Sequence, residues 1–290
     1  MSLDGKNVII TGSGRGIGKQ IAKACAKKGA NVGITSRTLE ELQQVKEEIQ
    51  DISDVKVVIK TADITDYDAV EQMFKEYHKD LGELFGVIAN AGMSGRYDTH
   101  KFTAEKFAKI IDVNVNGVFH TFKASYPYLK KDNKKDKARF IITGSAAYAA
   151  AMPKFAAYTA SKYAVVGLQK ELNLEYRREN INFNMVLPTM VDTQLLRGEK
   201  AGDGNAPPSI MDPEDLREYY LFLLSEDANR VSDELIFTNE VKAFKKALKD
   251  APDDLQDDWK KYKDYLKEND KSAYKVVKNY KKLTKYLFKN

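Results

Sequence analysis

The chain predicts an α/β fold, a doubly wound parallel sheet, and three observations carry that expectation. Short apolar runs recur at residues 7–11, 31–36, 55–61, 84–90, 139–143 and 182–187. Each is nearly continuous rather than alternating, as strands buried on both faces should be. Helical patterns separate them, and a glycine-rich turn, Thr11-Gly12-Ser13-Gly14-Arg15-Gly16-Ile17-Gly18, joins the first run to the first helix. Strands alternating with helices imply parallel pairing and right-handed crossovers. At 290 residues the chain is long enough for one large α/β domain with an appendage.

The helices follow in order. Over residues 17–28, Ile21 and Cys25 share a face and Gly29 is the stop. Leu42, Val45 and Ile49 mark residues 39–52, and Val70, Phe74 and Tyr77 mark residues 66–81. Residues 103–129 and 158–178 read as longer helices. The run 234–238 is a candidate last strand. Beyond it, Leu255, Trp259, Tyr262 and Leu266, then Val276, Tyr280, Leu283 and Leu287, repeat at helical spacing and predict two amphipathic helices. Asp253, Asp254, Asp257 and Asp258 stand where the first turn of such a helix favours acids. The expected division is a catalytic domain over 1–240 and a basic helical extension over 241–290.

Composition excludes several classes. Residues 241–290 hold 15 lysines and 8 acids, a net of +7, against +5 for the whole chain. The first 240 residues are therefore at −2, unlike a uniformly basic nucleic-acid binder. The basic stretch 130–137 reads as a solvated loop, because no aromatic is interleaved for base stacking. One cysteine and three scattered histidines offer no disulfide framework and no metal-ligand spacing. No run approaches the roughly 18 apolar residues of a membrane span, and the N-terminus lacks the pattern of a secretion signal. A cytoplasmic protein is the expectation.

The glycine turn supplies what a phosphate needs: free backbone N–H groups, no side chains in the way, and a helix N-terminus. Its spacing is T-G-x-x-x-G-x-G rather than G-x-G-x-x-G. An NAD site usually has an acid at the end of the second strand, to bond the ribose 2′-hydroxyl. Here that end is Thr35-Ser36-Arg37-Thr38. Arg37, with Arg15 in the turn, suits a 2′-phosphate instead, so NADP(H) is the expected cofactor. Asp63 and Ile64 follow the third strand. The Asp63 carboxylate either accepts from the adenine amine or caps the helix that begins near Asp66. Tyr158 and Lys162, at i and i+4, place a phenol and an ammonium on one helix face. A neighbouring cation lowers a phenol's pKa toward the working range. Ser145 ends the fifth strand, at the edge where parallel sheets bind ligands.

Thr11-Gly12-x-x-x-Gly16-x-Gly18, Asp63, Asn90-Ala91-Gly92, Asn114, Ser145, Tyr158 and Lys162 stand in the order of the short-chain dehydrogenase/reductase family, which the sequence resembles over roughly residues 4–240. The resemblance implies a Rossmann-type sheet of about seven strands. It also implies interconversion of a carbonyl and a secondary alcohol, with a 3-oxoacyl chain as the candidate substrate and a polyol or sugar as its rival. From a different class, the rival is a non-catalytic cofactor-sensing or partner-binding protein. In the implied scheme Ser145 bonds the substrate oxygen and Tyr158 is the acid. Lys162 bonds the cofactor ribose, and Asn114 bends its helix and completes a proton relay through water. Asn90-Ala91-Gly92 would steady the central strand beside the cofactor, and Pro188, Val191 and Thr193 would close over the carboxamide. The family's usual Pro-Gly is here Pro188-Thr189, and no glycine-rich close follows the last strand. A homodimer or homotetramer, paired through the two long helices, is also implied.

Substrate choice falls to residues 93–97, 146–155 and 190–211. Their apolar members are Met93, Met152, Phe155, Met190, Leu195 and Leu196. Their cations are Arg96, Lys154, Arg197 and Lys200. An apolar cleft with a cationic rim would suit an acyl chain on an acidic carrier.

Overall fold

The computed structural model describes residues 2–129, 135–252, 255 and 258–289. Seven parallel strands form one sheet in the order β3-β2-β1-β4-β5-β6-β7. They are β1 (Asn7–Thr11), β2 (Asn31–Ser36), β3 (Val57–Thr61), β4 (Gly86–Ala89), β5 (Ala138–Thr143), β6 (Ile181–Leu187) and β7 (Leu235–Phe237). Every residue of β1, β4, β5 and β6 is buried, as their largely apolar runs lead one to expect.

Alternate side chains serve opposite faces of the sheet. Val8, Ile10, Val32, Ile34, Ile141 and Val186 meet helices α1 (Gly16–Lys27), α2 (Leu39–Gln50) and α8 (Arg217–Leu224). Ile9, Val87, Phe140, Ile142, Phe183 and Met185 meet α3 (Tyr67–Leu81), α5 (Gly117–Ser125) and α6 (Ala156–Glu175). Strand order reverses between β1 and β4, the switch point where open α/β sheets bind ligands. Cys25 is fully buried, and burial pushes its thiol up to about 12, so it is an inert core residue.

The stretch read as one helix over 103–129 is interrupted. Helix α4 (Ala104–Ile111) passes through a π turn at Asp112–Asn116 before α5, and Pro127 closes the segment in a 3-10 turn. The wide turn centres on Asn114, whose side chain bonds outside its own helix.

Among its described residues the tail forms four helices rather than two. Helix α9 (Thr238–Lys249) starts directly after β7, so the expected boundary at 240 falls inside it. Then come α10 (Trp259–Asn269), α11 (Lys271–Asn279) and α12 (Lys281–Lys289). Asp270 accepts from Ala273 N at 2.9 Å and restarts the helix, while Tyr280, at φ −124° and ψ 48°, separates α11 from α12. These breaks interrupt a hydrophobic spacing that reads as continuous. Asp258 caps α10 by accepting from Lys260 N and Lys261 N; Asp253, Asp254 and Asp257 lie outside the described residues.

The tail shares the core of the α8 face. Val241, Phe244, Tyr262, Leu266, Val276, Val277, Leu283 and Leu287 are buried there, and Phe222 of α8 packs against Tyr286 with the ring centres 5.4 Å apart and the planes tilted. Tyr280 guards the free edge of the sheet: its hydroxyl accepts from Phe237 N at 3.3 Å and lies 3.0 Å from Glu240 Oε2. Of the basic stretch 130–137, residues 130–134 lie outside the description, and Asp136 pairs with Lys6 at 2.9 Å. Among the described residues no helix is long and apolar enough to cross a membrane, and no three metal-ligating side chains gather.

Candidate active site

The glycine turn lies between β1 and α1, at the switch point. Gly12 has φ +65°, and a Cβ there would stand 2.7 Å from Ala91 Cα. A Cβ on Gly18 would strike the carbonyl of Gly12, so this glycine lets α1 press against the turn. Arg15 sits at the N-cap of α1, and the first turn of that helix carries no acid. An anion would meet a bare helix N-terminus here.

Asn90 ties the turn to the neighbouring strands. Its Nδ2 donates to Thr11 O at 3.0 Å and Gly12 O at 3.1 Å, while Thr11 Oγ1 accepts from the backbone N–H of Asn90 and of Ala91. Ser13 turns inward: its hydroxyl donates to Ile10 O and accepts from Thr35 N, both at 2.9 Å. Thr11, Ser13 and Gly18 thus shape the turn from behind. Gly12, Gly14, Arg15, Gly16 and Ile17 line an open cleft of about 1320 Å³.

At the outer end of the cleft, Ser36, Arg37, Asp63 and Ile64 line the wall. Arg37 is 70% exposed and lies 3.9 Å from Asp63. Asp66, not Asp63, caps α3, accepting from Ala69 N at 3.1 Å. The capping reading of Asp63 is therefore wrong. Asp63 instead accepts from Thr65 N and Thr65 Oγ1. Burial would raise its carboxyl, but those bonds and the Lys109 and Arg37 charges hold it below its ordinary value. Glu41, which the sequence reading missed, pairs with Arg15 at 3.0 Å. It stands in the first turn of α2, where acids are common for helical reasons, so nothing in the sequence marks it.

At the inner end, Ser145, Tyr158 and Lys162 come together, with Asn90, Ala91 and Gly92 on the facing wall. Ser145 follows β5 and accepts from Ala147 N at 3.1 Å. Burial pushes the Tyr158 phenol above its ordinary value, and a hydrogen bond with Ser145 pulls it partly back. Burial lowers the Lys162 ammonium to about 8. Its Nζ donates to Thr143 O at 3.0 Å and stands 5.5 Å from the Tyr158 ring centre. The expected lowering of the phenol by Lys162 is thus absent in this arrangement: the ammonium is spent on a carbonyl, and Ser145 does the lowering. Asn114 is buried behind the wall. Its Oδ1 accepts from Met93 N at 2.8 Å, and its Nδ2 donates to Met93 O and Ser161 Oγ, both at 2.9 Å. The side chain therefore holds the 93 segment in place.

Pro188, Val191 and Thr193 also line the cleft. Pro188 O accepts from Ala146 N at 2.8 Å, and Val191 is bridged to Met211. Met93, Met152, Phe155, Met190, Leu195 and Leu196, the apolar residues expected around a substrate, also line the cleft. The expected cationic rim is not there. Arg197 turns away to Asp192 and Asp203, each at 2.9 Å, and Lys154 pairs with Asp98 at 3.1 Å. Neither these two cations nor Arg96 nor Lys200 lines the cleft, because the nearest carboxylates claim the first two.

A dinucleotide fits these residues, with its diphosphate against the bare N-terminus of α1 and its nicotinamide end toward Ser145, Tyr158 and Lys162. The ammonium that would hold the ribose is charged below about 8 and neutral above it. Cofactor affinity is therefore expected to weaken as pH rises through about 8. Titrating binding against pH should show that limb, and Lys162→Arg, which stays charged, should flatten it.

Residues 6–203 match the family model described as short chain dehydrogenase. Among curated relatives, the chain is similar to a 3α-hydroxysteroid dehydrogenase of Mediterraneibacter gnavus. The two are 29% identical over 245 residues, 81% of this chain and 96% of that one. It is also 32% identical over 188 residues to a 3-dehydrosphinganine reductase of Arabidopsis thaliana, a match spanning 65% of this chain and 56% of the plant protein. Among solved structures, a carveol dehydrogenase from Mycobacterium avium in complex with NAD superposes with a TM-score of 0.74 at 25% identity. That match covers 81% of this chain and 96% of the other.

Proposed function

The chain belongs to the short-chain dehydrogenase family, and from that premise we propose that it is an NADP(H)-dependent oxidoreductase interconverting an apolar ketone and its secondary alcohol. The observation that carries the proposal is the convergence of Ser145, Tyr158 and Lys162 on the cleft that the glycine turn opens. When bound, the nicotinamide supplies the hydride chemistry. Ser145 offers a hydroxyl to the substrate oxygen. Tyr158, kept protonated by burial, holds the proton that this oxygen takes up. Lys162 holds the ribose while its ammonium is charged.

Six apolar side chains at the substrate end favour a hydrophobic ketone, a 3-oxoacyl chain among them, over a polyol or sugar, whose hydroxyls would find few partners there. The relatives named above act, by their names, on a hydroxysteroid and on 3-dehydrosphinganine, both largely apolar. NADPH oxidation by the purified protein over a panel of steroid, 3-oxoacyl, terpenoid and sugar carbonyls tests this. Turnover of the sugars alone would overturn it.

The preference for NADP(H) rests on Arg37, exposed at the end of β2 with no acid at 36–38. Glu41 favours a second reading, NAD(H), because it places a carboxylate at the same end of the cleft and neutralises Arg15. Arg37→Asp decides between them. It should weaken NADPH by roughly ten- to hundredfold, the worth of a charged hydrogen bond, and leave NADH equal or tighter. Equal dissociation constants for both cofactors in the unsubstituted protein would exclude the preference. Assembly is proposed to run through α4, α5 and α6, which leave Phe107, Phe119, Tyr163 and Leu174 exposed.

A further inference from the structure

Tyr220 on α8 has no part in the chemistry above, yet its buried hydroxyl reaches the cofactor wall. Its oxygen lies 2.8 Å from Thr143 Oγ1, and Thr143 Oγ1 lies 3.2 Å from Asn90 Oδ1. An amide oxygen only accepts, so the Thr143 proton goes to Asn90. Tyr220 is then the donor to Thr143. Burial outweighs the Thr143 bond and pushes the Tyr220 phenol far above its ordinary range, so it keeps that proton.

The direction matters because Asn90 is the residue that grips the glycine turn. With Oδ1 held by Thr143, the amide must present Nδ2 to Thr11 O and Gly12 O. The same Thr143, through its main-chain carbonyl, anchors Lys162 Nζ at 3.0 Å. One buried hydroxyl therefore stands behind both the phosphate turn and the lysine.

We propose that Tyr220 is a positioning residue of the cofactor site, orienting Thr143 and through it the Asn90 amide, the Gly12 turn and the anchor of Lys162. The proposal rests on the nicotinamide-cofactor reading of the cleft. It is separate from the ribose preference, since the turn serves a diphosphate that NADPH and NADH share.

The test is a set of variants titrated with each cofactor, with the melting temperature measured on the same samples. Tyr220→Phe removes one oxygen and leaves the ring. It should raise the Kd for NADPH and for NADH by the same factor, about fivefold for one buried hydrogen bond. Thr143→Val should weaken both at least as much, and Thr143→Ser should bind like the unsubstituted protein. The Tyr220→Phe, Thr143→Val double variant should be no weaker than Thr143→Val alone, because Tyr220 acts through Thr143. Losses that multiply in the double variant would overturn the proposal. So would a lower melting temperature with unchanged Kd values, which would make Tyr220 a packing residue only. If the unsubstituted protein bound neither cofactor, the cofactor reading itself would fall. Normal binding with no change in Tyr220→Phe would remove this proposal alone.

Discussion

Tyr158→Phe is expected to lower carbonyl turnover by about 10²–10⁴-fold, the range a positioned general acid supplies, while cofactor affinity stays within a few-fold. The ring remains, so the packing of Phe155 against it at 6.3 Å and the wall of the cleft are kept. What goes is the phenolic proton. Ser145 cannot replace it, because an aliphatic hydroxyl holds its proton too firmly. Steady-state rates at saturating cofactor, alongside a fluorescence titration of binding, separate the two effects. Near-full turnover in this variant would rule out Tyr158 as the acid and, with it, the mechanism proposed above.

The second large effect lies far from the chemistry. Cutting the chain after Ala251 is expected to abolish a stable native state. Tyr262, Leu266, Val276, Val277, Leu283 and Leu287 all leave the core, and each buried side chain of this size stabilises by roughly 1.5–3 kcal/mol. Their combined loss exceeds or rivals the net stability of about 5–15 kcal/mol that native proteins have. The cut also strips cover from Phe222 and Phe244 and leaves the β7 edge without Tyr280. A graded test avoids relying on an insoluble product. Leu266→Ala should cost about 2–5 kcal/mol, and the melting temperature should fall by on the order of 10 °C. A truncated protein that melts like the full chain would show that the tail is not part of the core.

The two variants probe different parts of what could be read in advance. Ser145, Tyr158 and Lys162 could be picked out as candidates because the marks they leave are local. Tyr158 and Lys162 are one helical turn apart, and Ser145 sits at a strand end. The tail's docking was legible only as a direction, from large apolar residues at helical spacing. Its form was not, since Asp270 and Tyr280 break a periodic pattern that the sequence carries straight through. The cationic rim failed for a related reason. Arg197 is a cation wherever it stands, and a count of cations does not show that the loop folds back to bring Asp192 and Asp203, five and six residues away, onto it.

The sequence alone determined the alternating strands and helices and the glycine turn between β1 and α1, and it brought Ser145, Tyr158 and Lys162 forward as candidates. Continuous burial, helical periodicity and positive φ are properties of neighbouring residues, so they leave a mark within a few positions of one another. The tertiary structure alone decided the rest. It settled the pairing of Arg15 with Glu41 across 26 residues and the contact of Thr143 with Tyr220 across 77. It also set the docking of the tail over α8. Each of these depends on which surfaces meet after the chain has crossed the sheet. A hydrogen bond or ion pair between distant positions has no spacing of its own to betray it.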